Sequence, residues 1–442
     1  MVKLDLLFLL VGLFFYIIFL YSFTKEKKTL FFVTCCSLII LHDFIFINLS
    51  YYTSELVTFI LKAWQEYLTL FLVFLLLKTK SKINKDIFFI LLMLIGLSFY
   101  GIILSVVTGM PLKETILSWR MYLLPILLPC LVYLNDGFKN VNTSFFYKYL
   151  KTTLFILVLF ALYQNLLFKF SNGEQLTFLT KNFRSNAGSI LKKTLWFYEY
   201  FGDDHILSRW FNVIRNGNIR ATSFFVSPII FAQFLGVIGS ILMGKFIYSK
   251  RKINVLIMLA ITFLGIYLAQ VRAGFIFFII TFFIIYSNRK TKIKNYVIIG
   301  LPLFLVGITF IGLIFFKVGD ASTVGRLKQY TELFKNFNFF GLGLGSYRAI
   351  INYDSLIISA MFAFGLFSIF YFKLHLNILK SMNRFHQTIL NEHSFLAIGL
   401  LGAFSAFVYI SFFHYNIGSA PIRFFYFIAF YYLYKNYEIR KQ

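Results

Sequence analysis

Carboxylates are scarce in this chain. Asp and Glu number 17 against 43 Lys and Arg, and charged residues of both signs make up 14% of 442 positions. A soluble protein carries about a quarter charged residues, and so thin a supply cannot cover its surface. Cysteine is scarcer still. Cys35, Cys36 and Cys130 fall inside apolar segments and show neither metal-ligand nor disulfide spacing. No cleavable leader is expected: the first apolar segment begins at Leu4 with almost no charge before it and no small-residue cleavage motif, so it reads as a retained helix.

What the chain has is apolar surface. Hydrophobic residues reach 59%, aromatic residues 21%, and the mean hydropathy is +0.78. The solvent for such a chain is lipid. A net charge of +26 would suggest nucleic acid if it formed a face, but here the basic residues punctuate apolar segments and read as topology signals. No nucleic-acid partner is expected.

Apolar runs of spanning length lie near 4–23, 29–49, 56–77, 87–107, 117–134, 149–168, 222–243, 253–270, 273–287, 296–316, 355–372, 395–413 and 422–434. They predict an all-α polytopic membrane protein with about 13 transmembrane helices, within 12 to 14. Alternate connections hold the basic residues: seven of them, from Lys25–Lys28 to Lys435–Lys441, carry 24 of the 43 Lys and Arg. That face is predicted cytoplasmic, with the N-terminus outside and the C-terminus inside.

Residues 1–168 then hold helices one to six, 169–220 a first long outer loop, and 221–316 helices seven to ten. A second long loop covers 317–353, and 354–442 hold helices eleven to thirteen. Both long loops are basic although they lie outside, which suggests an anionic ligand such as a phosphate or pyrophosphate. The second contains GRLKQYTELFKNF, with Leu327, Tyr330, Phe334 and Phe337 expected on one helical face and Lys328, Glu332 and Lys335 on the other. It ends in FGLGLG, where Gly341, Gly343 and Gly345 allow close backbone approach. The first loop has a similar candidate helix at Leu191–Phe201.

The run from Ile253 to Tyr286 would reach roughly 50 Å as one helix, against a hydrocarbon core of about 30 Å. Two helices meeting near Gln270–Gly274 resolve this, and put Arg272 at their outer junction. Arg220 precedes helix seven, Arg120 starts helix five, Arg423 starts helix thirteen, Arg326 opens the amphipathic helix and Arg348 follows the glycines. Six arginines thus gather at one expected depth, in a chain with 30 lysines to 13 arginines. Each is either a cation for a phosphate or a side chain reaching for headgroups.

Three of these stretches resemble motifs of the O-antigen polymerase and ligase family, across about residues 215–372. RATSFFVSP (220–228) resembles its R-x-x-G-x-F-x-x-P segment, and QVRAG (270–274) its S-x-S-R-x-G turn. Arg326, a helix and GLGLG (341–345) resemble its R … G-x-G-x-G outer loop. Ser223 stands where the family often has Gly. Where ligases carry a His-Asn pair this chain has Tyr353-Asp354-Ser355, which resembles the acidic version of some capsule and exopolysaccharide polymerases.

The resemblance implies transfer of a glycan from one undecaprenyl-pyrophosphate carrier to another lipid-linked repeat unit, outside the cytoplasmic membrane. Donor and acceptor are then both lipid-linked glycans, with membrane lipids and a chain-length regulator as further partners. No metal or cofactor is expected. It assigns Arg220 and Arg272 to the pyrophosphate, with Arg120, Arg326, Arg348, Arg423, Gly341, Gly343, Gly345 and His414 as substrate-binding candidates. Asp354 is the candidate general base, or merely the cap of its helix. Asp203-Asp204-His205 reads as a solvated turn more readily than as a metal site. An O-antigen ligase and, in another class, a lipid-linked oligosaccharide flippase are the competing readings.

Overall fold

The computed structural model describes residues 2–25, 27–78, 84–170, 214–215, 218–225, 227–249, 252–288, 295–315, 321–346, 355–388, 394–414 and 418–441. The segment 191–201 and the residues Asp203, Asp204 and His205 lie outside them. Each apolar run folds as helix, because a peptide group in lipid finds no water and must bond within its own segment. In order these are α1 Val2–Thr24, α2 Lys28–Tyr52, α3 Glu55–Lys62, α4 Trp64–Lys78, α5 Lys85–Val107 and α6 Leu112–Tyr122. There follow α7 Leu124–Leu134, α8 Thr143–Phe170, α9 Pro228–Tyr248, α10 Lys252–Ala269, α11 Arg272–Asn288 and α12 Asn295–Phe315. The last are α13 Ala321–Lys335, α14 Leu356–Phe364, α15 Ser368–Thr388, α16 Ser394–Ser411 and α17 Ala420–Lys441. A two-residue antiparallel ladder, β1 Ile214–Arg215 and β2 Asn218–Ile219, precedes α9.

Among the described residues seven helices are long and apolar enough to cross a bilayer, or nine if two bent pairs are single spans. This is a multi-pass helical membrane protein. The lipid-facing character is plain in α1, which is apolar all round and leaves Leu6, Leu7, Leu10, Phe14 and Ile17 more than half exposed.

Three expectations need correction. The run expected as one helix over 117–134 is broken: α6 and α7 meet at 57°. The break falls at Leu123, and Pro125, second in α7, has no N–H to continue the ladder of α6. Arg120 therefore ends a helix and does not begin one. Helix α9 starts at Pro228, not 222, because proline suits a first helical position and Ser227 Oγ accepts from Ile229 N at 3.2 Å. In α13 the packed residues are Tyr330 and Leu333, joined by Phe337 just beyond its end to Ile358 and Phe362. Phe334, expected on that face, is 78% exposed.

The chain divides into two compact units, each discontinuous in sequence. The first comprises Met1–Lys78, Asn135–Leu242 and Lys250–Phe275. There Phe31 of α2 stacks on Phe19 of α1 at 5.1 Å, and Trp64 Nε1 donates to His42 Nδ1 at 3.2 Å. Helix α10 lies along α8 with Gly265 at the contact, where a Cβ would meet Val158 at 2.9 Å and Leu235 at 2.5 Å. Small residues allow such close approach, the usual packing device of helices in lipid.

The second unit comprises Thr79–Leu134, Met243–Ser249 and Ile276–Gln442. Helix α12 packs on α16, where Ser405 Oγ donates to Ile298 O at 2.7 Å, and α7 packs on α17 through Tyr133 and Tyr434. At one end of α5, Asp86 pairs with Arg384 of α15 at 3.0 Å. At its other end Ser105 Oγ donates to Leu344 O of the glycine segment.

Candidate functional site

Arg272 is the first residue of α11, and only Gln270 and Val271 separate it from α10. The chain turns there through Gln270 at φ +50, whose N–H is held by Tyr267 O at 3.0 Å. Gly274 completes the turn, since a Cβ would lie 2.8 Å from Ile266 and 3.1 Å from Ala232 O. The length argument from sequence is met: two helices, one tight junction, and an exposed Arg272 on it.

The same junction receives Arg220. Ala221 N donates to Leu268 O at 2.9 Å, and Arg220 Nε donates to Ala269 O at 3.3 Å. A guanidinium at the carbonyl end of α10 satisfies the helix terminus and complements its dipole. Arg220 is 6% exposed while Arg272 is open. One helix end therefore carries a buried cation and an accessible one.

The segment that delivers Arg220 is held by a residue the sequence reading passed over. Gln164 Oε1 accepts from Thr222 N at 3.0 Å and Ser223 N at 2.9 Å, and its Nε2 donates to Ser223 O at 3.1 Å. Ser223 sits at φ +51, a conformation natural to glycine, and its Oγ donates to Leu157 O at 2.8 Å. Phe224 stacks on Phe160 at 4.3 Å. The amide pair Gln164-Asn165 in the apolar run of α8 was the available signal for Gln164.

In the second unit the glycine segment is buried in protein. Leu342 N and Gly343 N donate to Phe362 O at 2.8 Å and Ala363 O at 3.0 Å, while Leu366 N donates back to Phe339 O at 2.9 Å. Gly343 has φ +87, and a Cβ on it would lie 2.5 Å from Ser105 N. The equivalent atom on Gly341 would meet Gly365 N at 2.5 Å, and that on Gly345 would meet Thr115 N at 3.0 Å. The close approach read from sequence is real, but each glycine approaches the protein's own backbone. That accounts for all three without a ligand.

Arg120, 9% exposed, ends α6 one turn beyond Thr115, so it stands on the helix that backs Gly345. Arg423 lies in the first turn of α17, and the preceding Gly418 approaches Met121 at the end of α6. The elements bearing Arg120 and Arg423 thus meet. Of Arg326, in α13, the side chain lies outside the described residues, as do Arg348 and Asp354 entirely. Ser355, not Asp354, caps α14, accepting from Ile358 N at 3.4 Å. Tyr330 anchors α13 by donating to Phe412 O at 2.8 Å; burial pushes its hydroxyl up to about 12 against a smaller pull from Ser355.

His414, at the end of α16, lines a cavity of about 370 Å³ that lies wholly within the second unit. Its wall is mostly Phe, Leu and Ile, with His375, Tyr371 and Tyr426 adding polar atoms. The sequence reading did not identify His375, which lies in an ordinary run of α15.

The apolar helices define a polytopic membrane protein, and its α10–α11 junction carries two arginines, one buried and one exposed. No protein-family model, curated protein or solved structure matches the chain.

Proposed function

We propose that this protein polymerises undecaprenyl-pyrophosphate-linked oligosaccharide repeat units at the outer face of the cytoplasmic membrane. The observation that carries the reading is the arginine pair, one buried and one open, at the α10–α11 junction. The chemistry displaces a pyrophosphate from an anomeric carbon by an acceptor hydroxyl. No nucleotide is required, because the leaving group already carries the driving force. The protein has to neutralise the departing charge and hold the two reactants in line.

Arginine suits this role because it stays charged in apolar surroundings and presents a fork of donors to phosphate oxygens. Arg220 is preset by Ala269 O, and Arg272 projects from the adjoining turn. Asp354 takes the proton from the acceptor hydroxyl, and Arg120, Arg326, Arg348, Arg423 and His414 contact the glycan or its phosphates. The proposal includes about 13 spans with the N-terminus outside, so that the α10–α11 junction faces outward. A chain-length regulator is the expected protein partner.

The test is deletion of the gene with complementation by Arg220→Ala and Arg272→Ala at normal expression. Loss of a phosphate-stabilising donor costs about 10²–10³-fold in such sites. Single repeat units on the surface or on the lipid carrier are the expected product of each variant. Unchanged polymer length in both overturns the pyrophosphate assignment. Repeat units trapped on the cytoplasmic face would identify a flippase, and long chains left on the lipid carrier a ligase.

A further inference from the structure

Carboxylates are few in this chain and basic residues many, so an acidic side chain is expected to find a partner. In the second unit Asp86 has Arg384 at 3.0 Å, and Glu438 has Lys435 at 2.6 Å. Glu332 is exposed. Glu114 differs from all three. It is half-buried in the first turn of α6, and among the described residues neither a hydrogen bond nor an ion pair joins it to another side chain or to the backbone.

The cause is local. A glutamate at the third position of a helix ordinarily reaches back to the N–H of the cap residue. Here the cap is Pro111, which has no N–H. The glycine segment crosses the same turn: a Cβ on Gly345 would lie 3.1 Å from Glu114 C and 3.4 Å from Glu114 Cβ. Glu114 Oε2 is sealed within the protein with no donor. Ser118, one turn on, and Ser346, next after Gly345, are buried, and neither hydroxyl donates to it. The positive end of the α6 dipole suits a negative charge at this position. With Oε2 sealed, the carboxylate meets a ligand through Oε1 alone.

A carboxylate oxygen is an acceptor only, so it calls for a hydroxyl or an N–H group. It repels pyrophosphate, so Glu114 does not serve the leaving group, whose charge falls to the arginines. We propose that Glu114 is a glycan-binding residue, Oε1 accepting a hydrogen bond from a sugar hydroxyl of the lipid-linked repeat unit. This rests on the polymerase reading, which supplies the glycan, and adds a preference to it. A sugar with its own carboxylate is repelled at that position, so the sugar held there carries none.

The test is carboxyl footprinting of the full chain in nanodiscs, by a water-soluble carbodiimide with glycine ethyl ester, read on the peptide that contains Glu114. Lipid-linked repeat units extracted from the deletion strain are expected to protect Glu114 several-fold, and undecaprenyl pyrophosphate without a glycan to leave it reactive. No labelling in the free protein, no protection by the extract, or equal protection by the bare carrier overturns the proposal. Labelling should be the same in phosphatidylglycerol and phosphatidylethanolamine nanodiscs; its loss in the latter alone would assign the carboxylate to a lipid headgroup and overturn the proposal too. In a polymerase assay Glu114→Gln should raise KM for the extracted unit roughly 10–100-fold with kcat little changed, as loss of a hydrogen bond to a charged group does. An unchanged KM counts against it equally. The two readings fail separately. Protection of Glu114 with polymer length unchanged in Arg220→Ala and Arg272→Ala removes the polymerase reading alone, and loss of polymer in those variants without protection removes this proposal alone.

Discussion

Two glutamines buried in the first unit give opposite expectations for one substitution. Gln164 takes two backbone N–H groups and returns one N–H to Ser223 O. In Gln164→Leu those two amides lose their acceptor inside the protein, at about 1–3 kcal/mol each, so roughly 2–6 kcal/mol in total. For a unit of this size, about 2–4 °C per kcal/mol makes that a loss of roughly 5–20 °C in Tm. Gln233 of α9 is fully buried, yet neither amide atom has a hydrogen-bond partner. Gln233→Leu removes two stranded polar atoms at nearly equal volume and should leave stability unchanged or raise it. The three cysteines are buried and free, so a thiol-reactive dye reports unfolding directly. In a Cys130→Ala background only Cys35 and Cys36, both in the first unit, remain to react. If Gln233→Leu melts as low as Gln164→Leu, or lower, the hydrogen-bond reasoning is wrong.

Gly343→Ala should be among the worst single-methyl additions in the second unit. It combines φ +87 with a backbone atom 2.5 Å from the new Cβ, about 2–5 kcal/mol in sum. Gly300→Ala, with nothing within 4 Å, is its control in a melt read by Cys130, the buried thiol of the second unit, and equal melting would sink the packing account. At Ser223, glycine relieves the left-handed backbone, by about 1–2 kcal/mol, but loses the bond to Leu157 O, worth about 1 kcal/mol. Ser223→Ala loses the bond and keeps the strain, so it should melt below Ser223→Gly; the reverse order would remove strain from the explanation.

How much of this was legible beforehand depended on the range of the interaction. Hydropathy runs found the helices because lipid imposes a one-residue-at-a-time requirement on the backbone. The α10–α11 junction came from length alone. The break before Pro125 was hidden inside a continuous apolar run. The packed face of α13 was misread by one helical step, since Phe334 and Leu333 are adjacent and only Ile358 and Phe362 decide between them. Arg220 could be nominated from sequence, but its seat on Ala269 O depends on Gln164, more than fifty residues away. His375 was illegible because its significance comes from what surrounds it.

The bonding of residues 339–343 to the stretch that joins α14 to α15 also bears on how the chain is made. The 3₁₀ turn Gly365–Phe367 interrupts the helix between α14 and α15, and its backbone is completed by chain that precedes it. Helix α5, which supplies Ser105, is earlier still. Every group needed to close the interruption has therefore left the ribosome before Gly365 does. The break can be sealed as the span is inserted, and nothing synthesised later is needed to keep its open peptide groups from lipid.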